Sequence, residues 1–187
     1  MKRLALAVAV LGSLGASTDE AACRDGAAAA CANLGLAYEL GDGVPVDLSR
    51  ALALYEVACE AGIGAACVNE GVLRAQGQGT PQDLTTAAAR FRQACALDVP
   101  EGCHNWGTAL LRGLGVTPDP VHGLEALETA CAAGHAAACH RAADAWRAGV
   151  RSATVRLRRD RAKADALDAA GCRLAADTCD ASKVRGR

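Results

Sequence analysis

A chain of 187 residues with 51% hydrophobic side chains is long enough to bury a core, as one domain or as a short repeat array. Much of that hydrophobic content is alanine, only 3% of residues are aromatic and there are 5 prolines, which favours closely packed helices over a β-sandwich. The formal charge of −1 conceals an acidic body and a basic C-terminal segment.

The chain opens on MKRLALAVAVLGSLGAS. Lys2 and Arg3 precede an uncharged apolar stretch that ends in small side chains, the layout of a secretory signal peptide, with cleavage expected after Ala16. The stretch falls short of the ~20 apolar residues of a spanning helix, which disfavours an uncleaved anchor. The acidic pair in DEAA, before Cys23, disfavours a lipid-modified cysteine. A secreted or periplasmic location follows, with no transmembrane segment in the mature chain. Export places the 10 cysteines in an oxidising compartment, where an even count at regular spacings reads as a disulfide framework. No C-x-x-C pair occurs, so no structural metal is expected.

The cysteines come in pairs with seven residues inside: CRDGAAAAC, CEAGIGAAC, CALDVPEGC and CAAGHAAAC. Their first members are Cys23, Cys59, Cys95 and Cys131 and their second Cys31, Cys67, Cys103 and Cys139, so both series advance by 36 residues. Gly35, Gly71 and Gly107 keep the same beat, as do Asp47, Asp83 and Asp119. A period of this size means stacked supersecondary units.

Each unit reads as two helices. From Cys31, CANLGLAYEL places Cys31, Leu34, Gly35 and Tyr38 on one face, and GDGVP stops the helix. A second helix begins after Asp47 as N-cap, with Leu48, Ala51, Leu52, Tyr55 and Ala58 as its stripe and Gly62 past its end. Neither helix buries its stripe alone, so the units stack: an all-α fold, an α/α solenoid of about four 36-residue helix-turn-helix repeats clamped by disulfides.

Seven residues along one continuous helix would hold two cysteines more than about 10 Å apart, beyond the ~7 Å Cα separation a disulfide tolerates. A turn must intervene, and Gly62 with Gly64, or Pro100 with Gly102, is expected to supply it. Nearest-neighbour pairing is predicted, 23 with 31, 59 with 67, 95 with 103 and 131 with 139. Cys172 with Cys179 is the fifth pair, although it follows 41 residues later and encloses only six.

The C-x(7)-C pairs and the segments CANLGLAYELGDGVPVDLSRALALYEVAC and GCHNWGTALLRGLGV resemble the cysteine-rich, secreted branch of the Sel-one-like repeat (SLR) family, relatives of the tetratricopeptide repeat. The likeness covers about residues 23 to 150. It implies a scaffold that binds protein or an extended peptide, without a cofactor and as a monomer. The expected division is a signal peptide at 1–16, repeats at 17–150 and a divergent basic repeat or cap at 151–187. The branch is also commonly labelled β-lactamase or penicillin-binding, which leaves hydrolysis or binding of β-lactams or peptidoglycan fragments as an alternative and a structural envelope role as a third reading. The residues supply no S-x-x-K pair, no K-T-G and no H-E-x-x-H, so no catalytic residue is assigned and enzymatic activity stays open.

Residues 17–140 carry 6 basic and 15 acidic side chains, against 12 and 6 in residues 141–187. The basic run VRLRRDRAKADALDAAGC reads first as a solvated capping helix and second as a site for an acidic envelope polymer. Aromatics are not interleaved with it, which argues against nucleic acid. His104 and His140 occupy equivalent positions and are expected to stack on neighbouring first helices, and Trp106 and Trp146 fall on the buried stripe.

On a first helix, positions two, five and nine beyond the second cysteine point away from that stripe. They are expected to line a concave binding surface. The rows are Asn33, Asn69, Asn105 and Arg141; Leu36, Val72, Thr108 and Asp144; and Leu40, Gln76, Arg112 and Ala148. Carboxamides both donate and accept, which suits the backbone of an extended peptide.

Overall fold

A computed structural model describes residues 18–149 and 158–175. The expected leader, Cys179 and residues 155–157 of the basic run lie outside them. The described residues are helical throughout, with no strand: α1 (residues 18–24), α2 (Ala28–Leu40), α3 (Leu48–Glu60), α4 (Gly64–Gln76), α5 (Leu84–Ala96), α6 (Pro100–Arg112), α7 (Pro120–Ala132), α8 (Ala136–Ala148) and α9 (Arg161–Leu174). This is the expected α/α solenoid architecture. None of these helices is long and apolar enough to cross a membrane.

The chain forms two compact units whose boundary falls inside α5, between Arg90 and Phe91. In the first, α2 packs on α3 and α3 on α4, burying Cys31, Leu34, Tyr38, Ala51, Leu52, Tyr55 and Ala58 on the expected stripes. In the second, α6 packs on α7, α7 on α8 and α8 on α9 around Leu124, Leu127, Ala130 and Ala142. Alanine at the contacts lets helix backbones approach closely, at the cost of little apolar area per residue.

Short-range chemistry sets the helix ends. Asp47 accepts from the backbone N–H of Arg50, Asp83 from that of Thr86 and Asp119 from those of Val121 and His122. Side-chain donors next to these N-caps hold all three carboxyls below the ordinary carboxylate range: Ser49 at Asp47, Thr86 at Asp83 and His122 at Asp119. Gly41, Gly77 and Gly113 close first helices in the left-handed region.

Four disulfides join the predicted pairs, with Cα–Cα distances of 4.7, 4.7, 4.3 and 4.7 Å. Each ties the end of one second helix to the first helix of the following repeat. Cys172 is also disulfide-bonded, while its expected partner lies outside the described residues. Gly62 makes its turn as expected, but Gly64, Pro100 and Gly102 lie inside α4 and α6; the left-handed residue between each pair is Gly26, Gly62, Asp98 or Gly134. Gly102 serves close approach instead: a Cβ there would sit 2.5 Å from Cβ of Ala94.

The slip before the last helix is a five-residue lengthening ahead of Asp160. Asp160 caps α9 through the Lys163 N–H, as Asp47 caps α3 through that of Arg50. Counted from these caps, Tyr55, Phe91, Leu127 and Asp168 are equivalent, so a carboxylate occupies a core position in the last helix.

Candidate binding site

The expected first-helix rows are solvent-facing or half-buried in every repeat. Asn33, Leu36, Leu40, Gln76, Arg112, Asp144 and Ala148 are exposed, and Asn69, Val72, Asn105, Thr108 and Arg141 are half-buried. In the first unit, Leu36 and Leu40 are two of the more exposed large apolar side chains, at 45% and 67%. Asn69 hydrogen-bonds the Tyr55 hydroxyl, which also donates to Glu39 Oε2 at 2.6 Å. Burial, then the Glu39 carboxylate, raises the Tyr55 phenol above its ordinary value. Asn69 is therefore anchored to the core on one side while its flank faces outward.

The second unit contains a cavity of about 700 Å³ between α6 and α8, lined by Glu101, His104, His135, His140, Arg141 and Asp144. Two of these, Arg141 and Asp144, belong to the expected rows. Glu101 and His135 escaped the sequence reading, although His135 was visible inside CAAGHAAAC.

Of the two equivalent histidines, His104 meets the neighbouring first helix, at its cap: it stacks on His135, the N-cap of α8, with ring centroids 4.7 Å apart and planes 27° from parallel, whereas His140 turns to Asp168 of α9. His135 occupies the N-cap of α8, where its Nδ1 accepts from the Ala138 N–H at 3.2 Å, so Nε2 carries the proton of the neutral ring. Burial first, then the charges of His135 and Arg141, lowers the pKa of His104 from 6.5 to about 4, against a smaller upward pull from Glu101. Its Nδ1 is enclosed without a hydrogen-bond partner.

His140 is held from behind. Its Nδ1 donates to Asp168 Oδ1 at 2.8 Å, and the fully buried Asp168 also pairs with the Arg147 guanidinium. A Cβ on Gly171 would lie 2.8 Å from His140 Nε2, so the absence of a side chain there admits the ring. Among the described residues, no cluster of histidine, cysteine and carboxylate side chains could hold a metal ion.

The two tryptophans are half-buried, and Trp146 packs against the core of the second unit. Trp146 donates to Glu128 Oε1 at 2.7 Å, and Lys163 lies 4.4 Å over its ring while also reaching that carboxylate at 2.8 Å. The same three positions in the first unit hold Glu20, Arg50 and Tyr38: Arg50 lies 3.4 Å from Glu20 and 4.6 Å over the Tyr38 ring. A carboxylate from the preceding second helix, a cation and an aromatic ring thus form a latch in the first and last repeats. Lys163 was hidden from the sequence reading by the five-residue lengthening.

The Sel1 repeat family matches residues 28–63, 65–99 and 100–135, more than half of the chain. The chain belongs to the Sel1 repeat family. Among solved structures, this Sel1 repeat chain resembles a protective antigen of uropathogenic Escherichia coli displaying an SLR fold, with a TM-score of 0.81 and 19% identity over 90% of this chain and 34% of that one. It also resembles a Sel1 repeat protein of Oxalobacter formigenes, with a TM-score of 0.76 and 23% identity over 87% and 63% of the two chains. Cysteine-rich protein B of Helicobacter pylori aligns with a TM-score of 0.54 and 23% identity over 66% of this chain and 94% of that one. The chain thus spans under two thirds of the length of the first two. No curated protein matches it by sequence.

The depressed His104 pKa has a testable consequence. The unfolded chain binds a proton near pH 6.5, the folded one only near pH 4, so stability present above pH 6.5 is lost as the pH falls through that window. Screening at the half-buried ring leaves a loss on the order of 1–2 kcal/mol. Between pH 7 and pH 4.5 the wild-type Tm should fall further than that of His104→Gln. Parallel pH profiles would remove His104 as the cause.

Proposed function

We propose that the chain is an exported scaffold that binds a protein or extended peptide through the concave face of its first helices, each compact unit contributing its own rows. A Sel1 repeat scaffold is suited to protein–protein interaction, because stacked repeats offer extended surfaces to a partner. The observation that carries the finer reading is that the positions two, five and nine beyond the second cysteine are unburied in all four repeats, next to tightly packed stripes. Export accounts for the four described disulfides, bonds that persist in oxidising compartments. Residues 17–150 form the scaffold, and 151–187 act as a basic cap able to meet an acidic envelope polymer.

On this reading the Asn33, Asn69 and Asn105 carboxamides pair with a partner's backbone. An apolar segment lies against Leu36 and Leu40, and an acidic group approaches Arg112 and Arg141. A pull-down from envelope extract identifies the partner. Changing Asn69 and Asn105 together to alanine should then weaken binding at least tenfold, about 1.4 kcal/mol. Because Asn69 also meets Tyr55, the variant is first checked for an unchanged far-UV circular dichroism spectrum. Undiminished binding by a folded double variant would move the site off these rows.

A further inference from the structure

The cavity of the second unit is lined by charges of both signs that the protein leaves uncompensated. Arg141 and Glu101 both face it, and among the described residues neither takes part in an ion pair. Two other cations of this unit are committed elsewhere, Arg147 to Asp168 and Asp165, and Lys163 to Glu128. Asp144, the second acid on the cavity wall, is 62% exposed and lies 3.4 Å from Arg147. A simple anion here would meet two carboxylates, and a simple cation would meet a guanidinium. A ligand carrying both charges a few bonds apart satisfies both.

The wall between the charges is built from imidazole rings. His135 offers an Nε2–H, because its Nδ1 accepts from the backbone, and the His104 ring stacks beside it. His140 is fixed by Asp168, so its ring stays in place as part of the wall. Donors and acceptors without charge suit peptide groups, each of which presents one N–H and one C=O. The volume, about 700 Å³, lies within the ~300–1,000 Å³ of small-molecule sites.

We propose that this cavity binds a short zwitterionic peptide, with its terminal carboxylate on Arg141, its ammonium on Glu101 and Asp144, and its amides against the stacked His104 and His135 rings. This is a small-ligand site, separate from the extended face proposed above although Arg141 and Asp144 border both.

Titration calorimetry of the oxidised full chain with Ala-Ala-Ala, N-acetyl-Ala-Ala-Ala and Ala-Ala-Ala-amide tests it. The uncapped tripeptide should bind at least tenfold more tightly than either capped form. In Arg141→Ala the penalty for amidation should vanish while that for acetylation remains; Glu101→Gln with Asp144→Asn should show the reverse. On the wild-type protein, whatever the variants do, the uncapped tripeptide should shift the imidazole proton resonances of His104 and His135. Equal affinity for the three peptides, no binding by any of them, or binding that leaves those resonances unmoved would overturn the assignment.

Discussion

Reduction of the disulfides should unfold the chain at room temperature. Each described bridge closes a ring between cysteines eight apart, and the chain-entropy treatment assigns such a ring about 2.5 kcal/mol. Four of them together contribute about 10 kcal/mol, comparable with the entire ~5–15 kcal/mol stability of a typical domain. The alanine-lined interfaces cannot make up that difference, since a buried methyl group contributes far less than a buried leucine. Far-UV circular dichroism with and without a phosphine reductant should show loss of most helical signal in the reduced sample. Replacing one pair, Cys59→Ala with Cys67→Ala, should lower stability by about 2.5 kcal/mol. A reduced chain that melts within about 5 °C of the oxidised one would show that packing suffices, because 1 kcal/mol already moves the Tm by ~2–4 °C in a chain of this size.

Substitution of Glu70 should be the most damaging single change in the first unit. Glu70 is completely buried in α4, with Oε1 2.6 Å from Arg74 Nε and Oε2 2.8 Å from Arg90 Nε. The half-exposed Glu56 adds contacts of 3.4 and 3.6 Å to the two guanidinium groups. Glu70→Ala removes the only buried carboxylate of this cluster and strands two arginines that are themselves about four-fifths covered. The expected loss is about 3–5 kcal/mol in urea denaturation, the usual cost of breaking a buried pair. The preceding repeat suggests the control. Its residues at the three equivalent positions are Leu34, Tyr38 and Leu54, so Glu70→Leu with Arg74→Tyr and Arg90→Leu should recover most of the stability. A Glu70→Ala protein as stable as wild type would mean that the more exposed Glu56 and Glu60 suffice to neutralise both arginines.

The amino-acid sequence alone determined the repeat period, the helix pairs, the capping aspartates and the four disulfide pairings. All of these rest on separations of a few residues: Cys31, Leu34, Gly35 and Tyr38 share a face because a helix turns every ~3.6 residues, and cysteines eight apart meet only across a turn. Tertiary structure decided where polar side chains on those stripes go. Glu70 and Arg74 stand at positions that hold Leu34 and Tyr38 one repeat earlier, and only the arrival of Arg90 from α5 makes their burial tolerable. Asp168 escaped notice because five extra residues before Asp160 displace it from the register of Tyr55, Phe91 and Leu127. Its partners His140 and Arg147 lie in the preceding helix, 28 and 21 residues away. The cavity has the same origin: Glu101 and His104 come from α6, and His135, His140, Arg141 and Asp144 from α8 and its cap. Periodicity reports which face of one helix is apolar, whereas the meeting of two outward faces depends on how helices of successive repeats pack.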